Sequence, residues 1–264
     1  MSLLERTITK IYPQDSASRD AAKSRLDNLA IPYWALGDLM DLAIDLAGMM
    51  RTVRPEVHRK AIVTMAADHG VVCENISKYP SEVTPQMVYN FIAGGAGINA
   101  LAGQAGAEVF VVDMGVAADL KDLVENNKII NKKVGLGTGN LAVGPAMSKA
   151  MAKRAIESGI DIANELSDRF DVFGTGDMGI GNTTPSTAIA AVCTGKDVAE
   201  LTGRGTGLDD EQVRHKISVI KKGLAVNKPD PRDGLDILAK VGGFEIGGLA
   251  GLILGAAANG KPVV

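Results

Sequence analysis

After the apolar segment Phe170-Asp171-Val172-Phe173 the chain reads Gly174-Thr175-Gly176-Asp177-Met178-Gly179-Ile180-Gly181-Asn182-Thr183-Thr184-Pro185, which sets one carboxylate among glycines and hydroxyls. Phe170–Phe173 reads as a short strand. Thr184-Pro185 reads as a helix N-cap followed by proline at the first helical position. A strand-to-helix junction of this kind leaves backbone N–H groups free for an anion such as a phosphate. Its glycines permit positive φ and let the backbone approach a ligand closely. A glycine-rich loop alone reads equally well as a tight turn, so its neighbours decide.

Other chemically capable residues are sparse. Asp68-His69 follows an apolar run and is general acid–base material, although the favoured reading is a pair that ties its loop together by hydrogen bonds. Lys216 and His215 lie on a charged helix, where a solvated side chain is the favoured reading for each. Cys193, on an apolar helix, reads as core. The two cysteines make no disulfide framework and no metal-ligand spacing with the three histidines, so a reduced cytoplasmic protein without a metal or other cofactor is expected. A net charge of −3 gives no electrostatic case for nucleic acid or an acidic membrane surface. Residues 1–15 carry no signal-peptide pattern. Small molecules or other protein chains are the expected partners.

With 46% hydrophobic residues, 4% aromatics and 31 glycines, the core must be built from aliphatic side chains packed closely. Residues 16–52 read as two helices broken at 30–34, the second carrying Leu39, Leu42, Leu46 and Met50 at helical spacing. Ala61–Ala67 and Glu108–Asp113 read as strands covered on both faces, joined through a helix from about Thr84 to Ala102. Lys128–Val134 reads as a polar edge strand, and Ser148–Arg169 as a long helix. Residues 209–227 form an amphipathic helix with Val213, Ile217, Ile220 and Leu224 inward and Lys216 on the polar side. Phe244–Ala258 contains a charge and four glycines. It falls short of the ~20 apolar residues of a membrane span and reads as a buried, closely packed helix. Lys261-Pro262-Val263-Val264 looks like the opening of another strand, so further sequence beyond it is expected. The fold class is therefore α/β, a Rossmann-like, mostly parallel sheet flanked by helices, with a small N-terminal helical region at 1–58 and the α/β domain at 59–264. The strand ends should share one rim and one crevice. A dinucleotide oxidoreductase ranks low, because no Gly-x-Gly-x-x-Gly follows the first strand.

Ala67-Asp68-His69-Gly70, Asn140-Leu141-Ala142-Val143-Gly144-Pro145-Ala146-Met147, Gly176–Pro185 and Asn227-Lys228-Pro229-Asp230-Pro231-Arg232-Asp233-Gly234 are long runs spread over nearly the whole chain. Together they resemble the nicotinate-nucleotide:dimethylbenzimidazole phosphoribosyltransferase family of cobalamin lower-ligand synthesis. The resemblance implies transfer of the ribose phosphate of nicotinate mononucleotide to 5,6-dimethylbenzimidazole, giving α-ribazole 5′-phosphate and nicotinate with inversion. The pyridinium leaving group departs as a neutral ring, so the chemistry needs neither a general acid nor magnesium. It needs an anion cradle, a flat apolar slot and a carboxylate to take the attacking ring's proton.

The resemblance also implies roles for residues. Asp177 stands where the family has a glutamate and is the candidate catalytic carboxylate. Met178, Gly179, Ile180 and Gly181 line the ribose and base, while Gly203, Gly205 and Lys216 lie on the nucleotide side. Pro80 matches a ring-packing proline, and Tyr79 and Met87 replace a serine and a glutamine, which bears on whether the acceptor is dimethylbenzimidazole, adenine, phenol or p-cresol. The family forms dimers, and a heteromeric branch makes a non-catalytic or phenol- and cresol-selective subunit the alternative reading. The family's catalytic glutamate belongs to a Leu-Gly-Glu-Gly run that this sequence lacks. A chain without it is expected to be inactive or very slow.

Overall fold

The computed structural model describes residues 1–264. Its helices are α1 (Leu3–Ile8), α2 (Ser16–Asp27), α3 (Asp38–Met50), α4 (Val83–Ile92), α5 (Gly97–Ala105), α6 (Lys121–Glu125), α7 (Lys149–Leu166), α8 (Thr183–Thr194), α9 (Val198–Leu201), α10 (Asp210–Asn227), α11 (Gly234–Val241) and α12 (Phe244–Ala258). The strands are β1 (Lys60–Ala67), β2 (Ala107–Gly115), β3 (Ile130–Asn131) and β4 (Val172–Met178), in the order β3-β2-β1-β4 and parallel throughout. The α/β class and the shared rim of strand ends are thus observed.

The register explains the two faces. Ala61, Val63 and Met65 stand beside Phe173, Phe110 and Val112 and pack under α12 and α7; Ala66 joins Val109, Val111 and Val88 on the other face. β1 is buried on both sides, which is why it reads as an unbroken apolar run.

The α7–α12 contact sets how close the helices come to the sheet. A Cβ on Gly159 would collide with the Gly248 carbonyl oxygen, and one on Gly251 with the Ile156 carbonyl oxygen, so the backbones touch where side chains normally intervene. The buried, closely packed helix read from 244–258 is what forms. At the far edge, Val263 bridges to Phe173 in parallel, as a further strand would begin.

Several boundaries differ from the sequence reading. The helix expected over 84–102 is two helices, because Gly94 takes φ +77° and the Asn99 side chain bonds both Ala96 N–H and the Phe91 carbonyl at the break. β4 runs on to Met178, through the stretch read as loop, since Gly174 and Gly176 make room for Ile62 and Thr64 on the neighbouring strand. The edge strand over 128–134 shrinks to Ile130–Asn131. In α3 the buried positions are Met40, Ile44 and Ala47, whereas Leu39 and Leu42 are exposed. α2 and α3 pack on each other, while α1 packs on α7 and α12. No helix is long and apolar enough to cross a membrane.

At the start of the sheet, Asp171 accepts hydrogen bonds from the Arg59 guanidinium and the Arg59 backbone N–H. The guanidinium holds its carboxyl at about 2, below the ordinary 3.8. A lowered carboxylate pKa stabilises the fold above the unfolded value and loses that contribution as pH falls through the folded one. Urea unfolding of Asp171→Asn should therefore show a deficit against wild type that is full above about pH 4 and shrinks toward about pH 2. At the seam, Gly159→Ala should lower stability by about 1–3 kcal/mol at unchanged m-value, although alanine ordinarily gains ~1 kcal/mol within a helix.

Candidate active site

The rim loops form one hydrogen-bonded unit. Asp68 N–H donates to the Gly115 carbonyl (3.0 Å), the Asp68 carbonyl accepts from Thr138 N–H (3.0 Å), and Gly70 N–H donates to the Thr138 carbonyl (3.1 Å). The Asp68 carboxylate accepts Ala117 N–H at 2.8 Å. Asp68 therefore ties the ends of β1 and β2, the role favoured from sequence.

Beside this unit, β4 turns into α8. The turn is shaped by Gly181, which has φ +84° and whose Cβ would stand 2.8 Å from Val72. A second constraint is the Ile180 N–H, which donates to the buried Thr84 hydroxyl at 3.1 Å. α8 begins at Thr183 with Asn182 as N-cap, not at Thr184-Pro185. Pro185 sits in the first turn, where a missing N–H costs nothing. The Asn182 side chain makes no cap bond and donates instead to the Asp177 carboxylate, which fixes that carboxylate at the mouth of the turn.

The turn opens on a cavity of about 210 Å³, lined by Asp177, Met178, Gly179, Ile180, Gly181, Asn182 and Thr183 on one side and by Ile76, Ser77, Gly205, Thr206, Leu208 and Lys216 on the other. Whole-ligand pockets commonly measure ~300–1,000 Å³, so this one suits part of a ligand.

Lys216 is the unexpected member. It is 2% exposed, its Nζ donates to the Thr183 hydroxyl, and it makes no ion pair. Burial pushes its pKa below the ordinary lysine range. The solvated reading fails because the buried stripe of α10 is Lys216, Val219, Ile220, Gly223 and Asn227, whose spacing puts Lys216 in phase with the apolar face. The loop at 203–207 closes over it: a Cβ on Gly205 would stand 3.6 Å from Nζ. Arg204 anchors that loop through the Leu208 carbonyl (3.0 Å) and Asp210.

Of the sequence candidates, Asp177, Met178, Gly179, Ile180, Gly181, Gly205 and Lys216 therefore meet at one cavity. Tyr79 and Pro80 line a neighbouring depression with Cys73, Lys78 and Glu82 that shares Ser77 with the first. Met87 packs against the β2-side core beneath α4, and Gly203 has open space around it. Cys193 is exposed rather than core, about 200° round α8 from the buried Ala191. His215 is exposed and contacts the Glu74 carbonyl at 2.7 Å. Thr183, which meets Lys216, and Asn182, which holds Asp177, line the cavity in positions that sequence reasoning misses, although both lie in the glycine-rich run. Glu245 is legible in sequence only as the lone charge of an apolar helix.

The profile of a family described as phosphoribosyltransferase matches residues 11–264. A nicotinate-nucleotide–dimethylbenzimidazole phosphoribosyltransferase of Desulfotalea psychrophila (strain LSv54 / DSM 12343) is 69% identical over 264 residues, covering 100% of this chain and 74% of the relative. The protein of the same name from Syntrophotalea carbinolica (strain DSM 2380 / NBRC 103641 / GraBd1) is 56% identical, covering 100% of this chain and 75% of the relative. The crystal structure of CobT from Thermus thermophilus superposes with a TM-score of 0.88 at 41% identity, over 94% of this chain and 73% of that one.

An unpaired ammonium out of water disfavours the ligand-free fold. With its folded pKa below the unfolded one, Lys216 weakens the fold at neutral pH, and the penalty fades as pH rises through that lowered value toward the unfolded ~10.4. Lys216→Met should thus match or exceed wild-type stability at neutral pH in urea unfolding, with the gap narrowing as pH rises toward the unfolded lysine value.

Proposed function

The chain belongs to the nicotinate-nucleotide–dimethylbenzimidazole phosphoribosyltransferase family, and on that premise we propose that the cavity between Asp177 and Lys216 is where it handles the ribose phosphate of nicotinate mononucleotide. The reaction moves that group to 5,6-dimethylbenzimidazole and releases nicotinate. The observation that carries the placement is Lys216: a buried cation with a hydroxyl partner and no carboxylate calls for an anionic ligand.

In this reading the 5′-phosphate pairs with Lys216 and the Thr183 hydroxyl, under the loop that contains Gly205, with Gly203 at its entrance. Backbone N–H groups at the start of α8 add their partial positive charge. Gly179 and Gly181 let the ribose lie against bare backbone. The acceptor base rests against Met178 and Ile180 and reaches toward Pro80 and Tyr79, with Met87 behind them in the core. Asp177, aimed by Asn182, faces the ribose and takes the proton that the attacking ring sheds from its other nitrogen as the new C–N bond forms. Closing the loop excludes water, which would otherwise compete for the anomeric carbon.

Leaving-group departure needs no proton, because the positively charged pyridinium becomes neutral as the C–N bond breaks. Positioning and electrostatics then supply the rate. The acceptor is 5,6-dimethylbenzimidazole, with adenine, phenol and p-cresol as the competitors to set against it. The family's dimeric assembly is part of the same reading.

Calorimetric titration with nicotinate mononucleotide should detect binding that weakens by about 10–100-fold in Lys216→Met, as expected for loss of a charge-assisted contact. Chromatography of the mixture with 5,6-dimethylbenzimidazole should find α-ribazole 5′-phosphate and nicotinate in equal amounts, formed slowly, as expected of a chain without the Leu-Gly-Glu-Gly run, and more slowly still by Asp177→Asn. A chain that binds no nicotinate mononucleotide would refute the placement.

A further inference from the structure

A second polar cluster lies beneath the cavity and takes no part in the chemistry above. His69, just past β1, is 3% exposed, and Glu245, in the first turn of α12, is fully buried. Nε2 of the imidazole and Oε1 of the carboxylate are 2.9 Å apart. The ring fills a slot between two glycines. A Cβ on Gly179 would stand 3.1 Å from Nε2, and one on Gly243 would stand 2.5 Å from Cε1. The imidazole therefore touches the turn of the proposed nucleotide site on one side and the cap of α12 on the other.

The groups facing this ring are negative: Glu245 from α12, Asp68 from its own strand end and Asp177 from β4. Burial alone would push the His69 pKa down, and these three carboxylates more than offset it, so the ring holds its proton above the ordinary range. Nδ1 of His69, Oε2 of Glu245 and Oδ1 of Asp68 are buried without hydrogen-bond partners. A purely architectural contact here would be served as well by apolar side chains, without desolvating two ionisable groups.

We propose that His69 is a positioning residue for the nucleotide site: gripped by Glu245, its imidazolium seats the Gly179 backbone and attracts the Asp177 carboxylate, so that binding of nicotinate mononucleotide depends on this pair. The proposal rests on the placement of the nucleotide given above. As a raised-pKa group, His69 is charged at lower pH and loses its proton as pH climbs through the folded value, so affinity for nicotinate mononucleotide should fall in that direction.

Two measurements test it. Calorimetry with nicotinate mononucleotide between about pH 6 and pH 9 should show about tenfold weaker binding to His69→Gln and to Glu245→Gln at the lower end, with the double variant no worse than the weaker single one. The decline of wild-type affinity with rising pH should be shallower in His69→Gln, Lys216 being the other group whose proton the phosphate contact needs. In ligand-free protein, nitrogen-15 resonances of the buried histidine should titrate at a lower midpoint in Asp177→Asn than in wild type, because one carboxylate favouring the charged ring is gone; this arm needs neither ligand nor a His69 variant. Unchanged affinity and pH profile in His69→Gln, or an unmoved midpoint in Asp177→Asn, overturns the inference. A wild type that fails to bind, with the midpoint still moved, overturns instead the placement of the nucleotide.

Discussion

The ammonium of Lys216, taken out of water with only a threonine hydroxyl to meet it, is the interaction on which the site depends. Transferring a charged amine to a low-dielectric setting is costly unless something of opposite sign arrives. Asp177 could have been that partner but is held elsewhere by Asn182. The cavity thus keeps its two charges on walls from separate elements, β4 and α10, with no ion pair between them. On the proposed placement an incoming phosphate would complete the lysine's coordination and leave the carboxylate free to accept a proton. Had the two side chains paired, the cleft would bury a neutral ion pair and attract nothing.

Holding those walls apart falls to the sheet. Asp177 reaches the rim because β4 continues through Gly174 and Gly176, where the neighbouring Ile62 and Thr64 side chains leave no space for a Cβ. Lys216 reaches the same rim from α10, a separate element whose Asn227 is anchored to the Leu141 carbonyl at 2.7 Å. Between them, the Asp68 hydrogen bonds lock the β1 and β2 ends so that the turn after β4 has a fixed floor. Preorganisation of this kind matters for a transfer whose leaving group needs no proton, because orientation and field are then the main means left for lowering the barrier.

Much of the architecture is legible in residue order, for reasons that can be named. A strand covered on both faces has to be apolar throughout, and β1 and β2 show it. A helix that packs backbone to backbone has to be rich in glycine, and α12 shows that. The glycine-rich run announces the turn and its carboxylate. Phase and partnership are harder to read. On α10, Lys216 sits one turn before Val219 and Ile220, yet a lysine on a charged helix reads as solvated until the tertiary fold brings Thr183 to it. On α3, Leu39 and Leu42 are the exposed flank, because Ile44 and Ala47 meet α2 instead. Cys193 departs from its core reading by the same logic, since an apolar neighbourhood in sequence says nothing of angular position. Glu245 is visible as an isolated charge, but its partner lies 176 residues earlier in the chain.

The separation between His69 and Glu245 also links the fold to the site. α12 can bring its first turn under the β1 end only because Gly159 and Gly251 let α7 and α12 approach to backbone contact. A wider seam would lift α12 from the sheet and withdraw Glu245 from the imidazole, leaving a buried histidine without its counter-charge and Gly179 without its support. On the role proposed for His69, the glycines of the α7–α12 interface would bear on ligand binding through a single side chain. Their tolerance to substitution is set by two constraints at once, the packing of the core and the seating of the turn above it.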